Sequence, residues 1–266
     1  MNDHDLVIGC CADLEGLTLL EATPGVEFIE LPVARALMGE GGEFDGLSAR
    51  IDNSRLTARV ANVFLPPDLK VVGPEFQPDR LEEYAATALD RARRLGVSVL
   101  VFGSGASRMV PPGFPRDRAL DQLETALRLV HTLASALGLT VALEPLHSAE
   151  TNLLNSVAEA AAYIERRNLD GVLLVADLWH MECEGEGMRS LAGAAALIAH
   201  AHVAAAGRRP PGQAVDSIEA FLGSLREAGY RGACSIECRW TDFAAEVTPA
   251  VKRVRDAAAA AGWRVA

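Results

Sequence analysis

"LTVALEPLHSAETNLLNSVAE", residues 139–159, contains one complete passage from strand to helix. Leu139 to Leu143 is a short apolar run, and Pro145 has no N–H for a sheet ladder, so a strand ends beside it. Ser156-Val-Ala-Glu159 has the form of a capping box and opens a helix. Between them Glu144 extends the apolar run with a carboxylate, a group that is costly to bury unless it is paired or bound to a metal. A strand that feeds a helix through a polar tip is the unit of a parallel α/β sheet.

The same unit recurs outward from this stretch. β-rich runs occur at "LVIGCCA" (6–12), "VEFIELPV" (26–33), "RVANVFLP" (59–66), "VSVLVFGSG" (97–105), "LTVALEPL" (139–146), "GVLLVADLWH" (171–180), "AHAHVAA" (199–205) and "ACSIECRW" (233–240). Helical patterns such as "PDRLEEYAATALDRARRLG" (78–96) and "DRALDQLETALRLVHTLASALG" (117–138) lie between them, with Gly96 and Gly138 at C-cap positions. Eight alternating units predict a closed (β/α)8 TIM barrel, a single domain over residues 1–266. "MGEGGEFDGLSARIDN" (38–53) reads as irregular. The structural alternative is a doubly wound open sheet, which the missing G-x-G-x-x-G after the first strand weakens.

The chain has 266 residues, half of them hydrophobic, and a formal net charge of -11. That suits one large α/β domain or two small ones, and disfavours a nucleic-acid partner. No apolar run is long enough to span a bilayer, and "MNDHDLVIG" has no basic n-region. The expectation is a cytoplasmic protein with no membrane partner, and homo-oligomerisation is left open. Cys10, Cys11, Cys183, Cys234 and Cys238 match no paired C-x-x-C zinc framework and read as reduced, small hydrophobes.

A barrel of this kind carries its chemistry at the C-terminal ends of its strands. Those ends offer Glu144 on the fifth strand, Asp177 on the sixth, His202 on the seventh and Glu237 on the eighth. Any one alone reads as a hydrogen-bonded strand-end residue. Together they read as a ligand set, because three carboxylates converging without a cation would repel one another. Oxygen and nitrogen donors without a thiolate suit manganese, magnesium or cobalt better than a closed structural zinc site.

With "GSGASRMVPPGF" (103–114), "LEPLHSAETNLLNS" (143–156), "DLWH" (177–180) and "GRRPPG" (207–212), the quartet resembles the xylose-isomerase-like TIM barrels over about Asn62 to Glu237. Within them it is most similar to the sugar isomerase/epimerase branch, which includes ketose 3-epimerases such as D-tagatose 3-epimerase, hydroxypyruvate isomerases and inosose-processing enzymes. The resemblance implies one divalent ion on Glu144, Asp177, His202 and Glu237, with manganese first and magnesium, cobalt or zinc as alternatives. It also implies that Glu150, His180 and Arg208 contact substrate oxygens, with a one-residue shift to Arg209 left open. Where family members often carry Asn-Arg after the first ligand, this chain has His147 and Ser148. Ala204, Ala205 and Ala206 replace the polar or acidic residue that commonly follows the histidine. The metal site therefore carries over more firmly than any particular sugar.

The expected activity is isomerisation or epimerisation of a small carbohydrate, a keto-sugar or polyol. A proton is taken from the carbon beside a carbonyl polarised by the ion, through an enediolate, with Glu144 and Glu237 as the acid/base pair. A lyase or dehydratase acting on a ketoinositol or 3-keto-glycoside, with or without a partner subunit, would use the same abstraction and is the runner-up. Schiff-base chemistry needs a lysine on a strand, and the only lysines are Lys70 and Lys252, both elsewhere. A DNA-repair endonuclease relative would need more histidines at strand tips, where His4 and His131 do not fall. A non-catalytic binder on the same scaffold is the remaining reading. His200 is expected to be a core histidine and Arg108 a loop brace. Phe64, Trp179 and Trp240 are expected to line either a pocket or the core.

Overall fold

The computed structural model describes residues 5–40, 42–212 and 217–265; His4 lies outside them. Eight strands, β1 (Val7–Cys11), β2 (Phe28–Pro32), β3 (Thr57–Asn62), β4 (Val99–Phe102), β5 (Thr140–Leu143), β6 (Val172–Asp177), β7 (Ile198–Val203) and β8 (Ala233–Ile236), close into a barrel in chain order. Every neighbouring pair is parallel, and β8 returns to β1 through Val7 opposite Ala233. The helices are α1 (Leu14–Ala22), α2 (Glu43–Asp52), α3 (Pro78–Arg94), α4 (Gly105–Arg108), α5 (Arg116–Ala136), α6 (Val157–Arg167), α7 (Leu178–Cys183), α8 (Arg189–Gly193), α9 (Ile218–Glu227) and α10 (Phe243–Ala260). None is long and apolar enough to cross a membrane. All five cysteines are free.

Two apolar assemblies hold the barrel. The larger packs helices onto the outer faces of the strands. The smaller fills the interior with Phe28, Val60, Val101, Ala142, Val175 and Ala233. Phe28 is accommodated because β1 carries Gly9, where a Cβ would lie 2.3 Å from the ring. Glu30, two residues after Phe28 on β2, is fully buried, as are His200 and His202 on β7, so the interior becomes polar toward one end.

Local signals act as their chemistry requires. Gly96 and Gly138 end α3 and α5 with positive φ (83° and 76°). Ser156 caps α6 by accepting from the Glu159 N–H at 3.0 Å. The Glu159 carboxylate returns to the Asn155 N–H at 2.8 Å, one residue before the position a capping box requires. One expectation is corrected. Residues 43–52 form helix α2 rather than irregular chain, because Phe44, Leu47 and Ile51 place one apolar stripe on the core. The glycines that suggested irregularity either precede the helix or, like Gly46, sit within it at open positions.

Candidate metal centre

Backbone pairing carries two of the four strand-tip residues past the ends of their strands. The Glu144 N–H donates to the Phe102 carbonyl at 3.1 Å, and the Glu237 N–H donates to the Val203 carbonyl at 3.1 Å, so both extend the ladder by one residue. Asp177 ends β6 and caps α7, accepting the His180 N–H on Oδ1 at 3.0 Å. That leaves Oδ2 free to face inward. His202 Nδ1 stands 2.9 Å from Glu144 Oε1, 3.6 Å from Asp177 Oδ2 and 3.7 Å from Glu237 Oε2. One donor atom from each of the four residues lies within 4.8 Å of the others. Glu144, Asp177 and His202 are buried.

This geometry tests whether a cation fits. A bare Nδ1 lone pair facing three carboxylates would be repelled by all of them, so the site needs positive charge at that point. In the metal-free chain a proton supplies it. Burial works against a charged imidazole, but Glu30, Glu237, Asp177 and Glu144 outweigh it and hold His202 well above its ordinary value. Burial likewise opposes an ionised Asp177, yet His180 and His202 keep it below the usual carboxylate range. Glu237 goes the other way: burial, with Glu144 and Asp177 nearby, raises it despite His202 and Arg208. A divalent ion would satisfy all four donors at once, and their oxygen and nitrogen chemistry suits a hard or borderline cation.

Glu30 is a residue the sequence reading missed. Its Oε1 pairs with His202 Nε2 and its Oε2 with His200 Nε2, each at 2.9 Å. Burial would raise this carboxyl, but the two imidazoles hold it well below the ordinary range. A carboxylate on the far nitrogen of a ligating histidine fixes the ring's orientation and leaves its near nitrogen to the metal. The signal was present, an acid inside the apolar run "FIELP", but it lies within its strand rather than at the tip. His200 is the buried structural histidine expected of it, anchored to Glu30.

The mouth is crossed by Arg208. Its Nη1 donates to Glu150 Oε1 at 3.0 Å and its Nη2 to Glu237 Oε2 at 2.7 Å. Gly207 (φ 79°) and Arg208 (φ 55°) both adopt left-handed backbone, which turns the guanidinium inward. Arg209 points away and donates to the Ala206 carbonyl, so Arg208 is the arginine at the site. Asn62 at the tip of β3, another residue missed, donates to Glu237 Oε1 at 3.0 Å and steadies that carboxylate. Beneath the site, the fully buried Arg108 donates to the Glu144 carbonyl at 2.7 Å and braces the end of β5; burial lowers it to about 10. Gly103 leaves room for the Glu144 carboxylate, since a Cβ there would lie 2.2 Å from Oε2.

His180 lies against His147, with ring nitrogens 2.8 Å apart. Burial and the neighbouring His180 lower His147 from its ordinary value. Trp179 meets His147 edge-on. Phe64 is a core residue packed on Tyr84 and Phe102. Trp240 joins Asn62, Val63, Arg208 and Glu237 in lining a cavity of about 550 Å³ beside the quartet. His131 sits on α5 against Gly171, away from the mouth.

Comparison with known proteins places these features. The chain matches the family of xylose isomerase-like TIM barrels over residues 19–263. The 3-dehydro-D-guloside 4-epimerase of Escherichia coli (strain K12) is 26% identical over 215 residues, covering 75% of this chain and 82% of that one. The L-ribulose 3-epimerase of Mesorhizobium japonicum is 30% identical over 161 residues, 59% of this chain but only 52% of that one. Among solved structures, the apo 3-keto-D-glucoside 4-epimerase of E. coli superposes with a TM-score of 0.75 at 21% identity, covering 97% and 99% of the two chains. The D-allulose 3-epimerase of Methylomonas sp. in complex with D-allulose gives 0.81 at 19% identity, covering 95% and 97%.

Proposed function

The chain belongs to the xylose isomerase-like TIM-barrel family, and on that premise we propose that it is a divalent-metal-dependent epimerase or isomerase of keto-sugars. The observation that carries this reading is the convergence of Glu144, Asp177, His202 and Glu237 within 4.8 Å at the tips of four consecutive strands. These four would hold one ion, manganese ahead of magnesium, cobalt or zinc on donor chemistry. When bound, such an ion polarises a carbonyl and stabilises negative charge on the neighbouring oxygens.

The chain's own residues supply the remainder. Glu144 comes from the β5 side, set by His202 and by Arg108 below. Glu237 comes from β8, set by Arg208 and Asn62. Two carboxylates that reach the site from different strands can divide the work. One removes the proton beside the carbonyl, and the other returns a proton to the opposite face or to the neighbouring carbon. Arg208 and Glu150, paired across the mouth, are placed to exchange their ion pair for substrate hydroxyl or carbonyl oxygens.

The names of the relatives support the substrate class. In a 3-dehydro-guloside 4-epimerase and in a ribulose 3-epimerase alike, the inverted carbon is the neighbour of the ketone. The same proton abstraction serves both. The test is solvent deuterium incorporation by the manganese-loaded protein into a panel of ketoses and 3-keto-glycosides. We expect label on the carbon next to the carbonyl, and its loss in Glu144→Gln. No exchange on any member, in protein shown to bind manganese, refutes the reading; an eliminated product would make the enzyme a lyase.

A further inference from the structure

Counting donors at one pair of rings fixes a tautomer. The His147 backbone N–H donates to His180 Nδ1 at 3.1 Å. A backbone N–H can only donate, so His180 Nδ1 presents its lone pair. His147 Nδ1 lies 2.8 Å from the same atom, and two lone pairs at that distance would repel. His147 therefore carries its hydrogen on Nδ1 and is a second donor to His180. The other acceptor near that hydrogen, Glu150 Oε1, is 3.9 Å away and already engaged by Arg208 at 3.0 Å.

With Nδ1 committed as acceptor, the single ring hydrogen of His180 sits on Nε2. That atom is buried, stands 4.0 Å from Asp177 Oδ2, and has no hydrogen-bond partner among the described residues. An unpaired buried donor costs free energy unless a ligand answers it. The residue is held on both sides, by its backbone N–H donating to Asp177 Oδ1 at 3.0 Å and by the His147 ring stacked at 5.0 Å.

We propose that His147 is a positioning residue that fixes His180 as the Nε2–H tautomer, so that His180 donates a hydrogen bond to a carbonyl or hydroxyl oxygen of the substrate. This rests on the keto-sugar reading above. The opposite tautomer would turn a lone pair toward both Asp177 and the substrate oxygen, and binding would suffer. A competing use of His147, Glu150 and His180, whose donor atoms lie within 4.8 Å of one another, is a second cation site. The backbone N–H directed at His180 Nδ1 disfavours it, because a cation there would face a donor hydrogen.

The experiment combines three readouts on the full chain. Long-range proton–nitrogen NMR of the magnesium-loaded wild type should show His180 protonated on Nε2 and bare on Nδ1. Protonation on Nδ1 overturns the proposal whether or not any sugar is turned over. His147→Leu removes the side-chain donor and leaves the backbone N–H, and should raise KM for the ketose about twofold while kcat changes less, with about half of His180 shifted to the Nδ1–H tautomer. His147→Asn, which retains a side-chain N–H, should restore most of the wild-type KM. Unchanged KM and tautomer in His147→Leu, or a second manganese equivalent that this variant loses, overturns the proposal. Absence of turnover in wild type refutes the keto-sugar reading separately and leaves the tautomer measurement decisive.

Discussion

Replacing Glu30 with glutamine tests the centre through a residue that touches neither the bulk solvent nor the substrate cavity. Glu30 is fully buried and receives two hydrogen bonds of 2.9 Å, one from His200 Nε2 and one from His202 Nε2. Glutamine keeps the shape but offers one acceptor, so its amide nitrogen faces the other imidazole. His200 can answer by moving its hydrogen to Nδ1, which is unpartnered among the described residues, leaving the glutamine oxygen for His202. The His200 bond, charge-assisted at about 1.5–3 kcal/mol, then becomes a neutral one of about 0.5–1.5 kcal/mol, while protonated His202 keeps a charge-assisted bond but loses its counter-charge, a loss of roughly 1–2 kcal/mol in all. In a chain of this size that lowers the melting temperature by about 2–8 °C. The His202 ring is also held less firmly, which should weaken manganese binding by about 10–100-fold. Thermal denaturation of the metal-free protein and calorimetric titration with manganese read the two effects. Wild-type manganese affinity in a folded Glu30→Gln protein would refute the orienting role.

Other consequences follow from the same geometry. Gly103→Ala places a methyl against Glu144 Oε2 and should weaken manganese binding by about tenfold while costing only about 1–3 kcal/mol of stability, measured by titration and chemical denaturation. In the metal-free chain His202 is raised and holds a proton on Nδ1. Manganese must displace it, so binding should release about one proton and affinity should fall about tenfold per pH unit below the raised value. Calorimetry in two buffers of different ionisation enthalpy checks both; heat independent of buffer counts against the proton at Nδ1. Arg208→Lys removes the two-pronged bridge to Glu150 and Glu237 and should raise KM about tenfold with manganese affinity little changed, read by steady-state kinetics and titration.

Much of this was legible along the chain. Every expected strand run overlaps an observed strand, with β3 and β7 starting two and one residues earlier than expected, because short apolar runs bounded by glycine, proline or a cap leave little else for the backbone to do. Residues 43–52 were misread because their glycines hid a stripe that only burial against the barrel explains. Glu144, Asp177, His202 and Glu237 could be picked out because each is an ionisable residue closing an apolar strand, and the barrel's closure brings those ends together. Glu30 and Asn62 were passed over for the opposite reason. Their partners lie 170 and 175 residues away, and the one local sign, an acid inside the apolar run of β2, does not fall at a strand tip.

The sequence by itself therefore determined the alternation of strand and helix, the parallel barrel it implies, and which strand tips carry charge, since these depend on residue type and local spacing. Tertiary structure alone decided which arginine of the pair turns inward, which carboxylate backs His202, and which nitrogen of His180 carries its hydrogen. Those are matters of distance and donor direction between residues far apart in the chain, and they acquire values only when the eighth strand closes on the first.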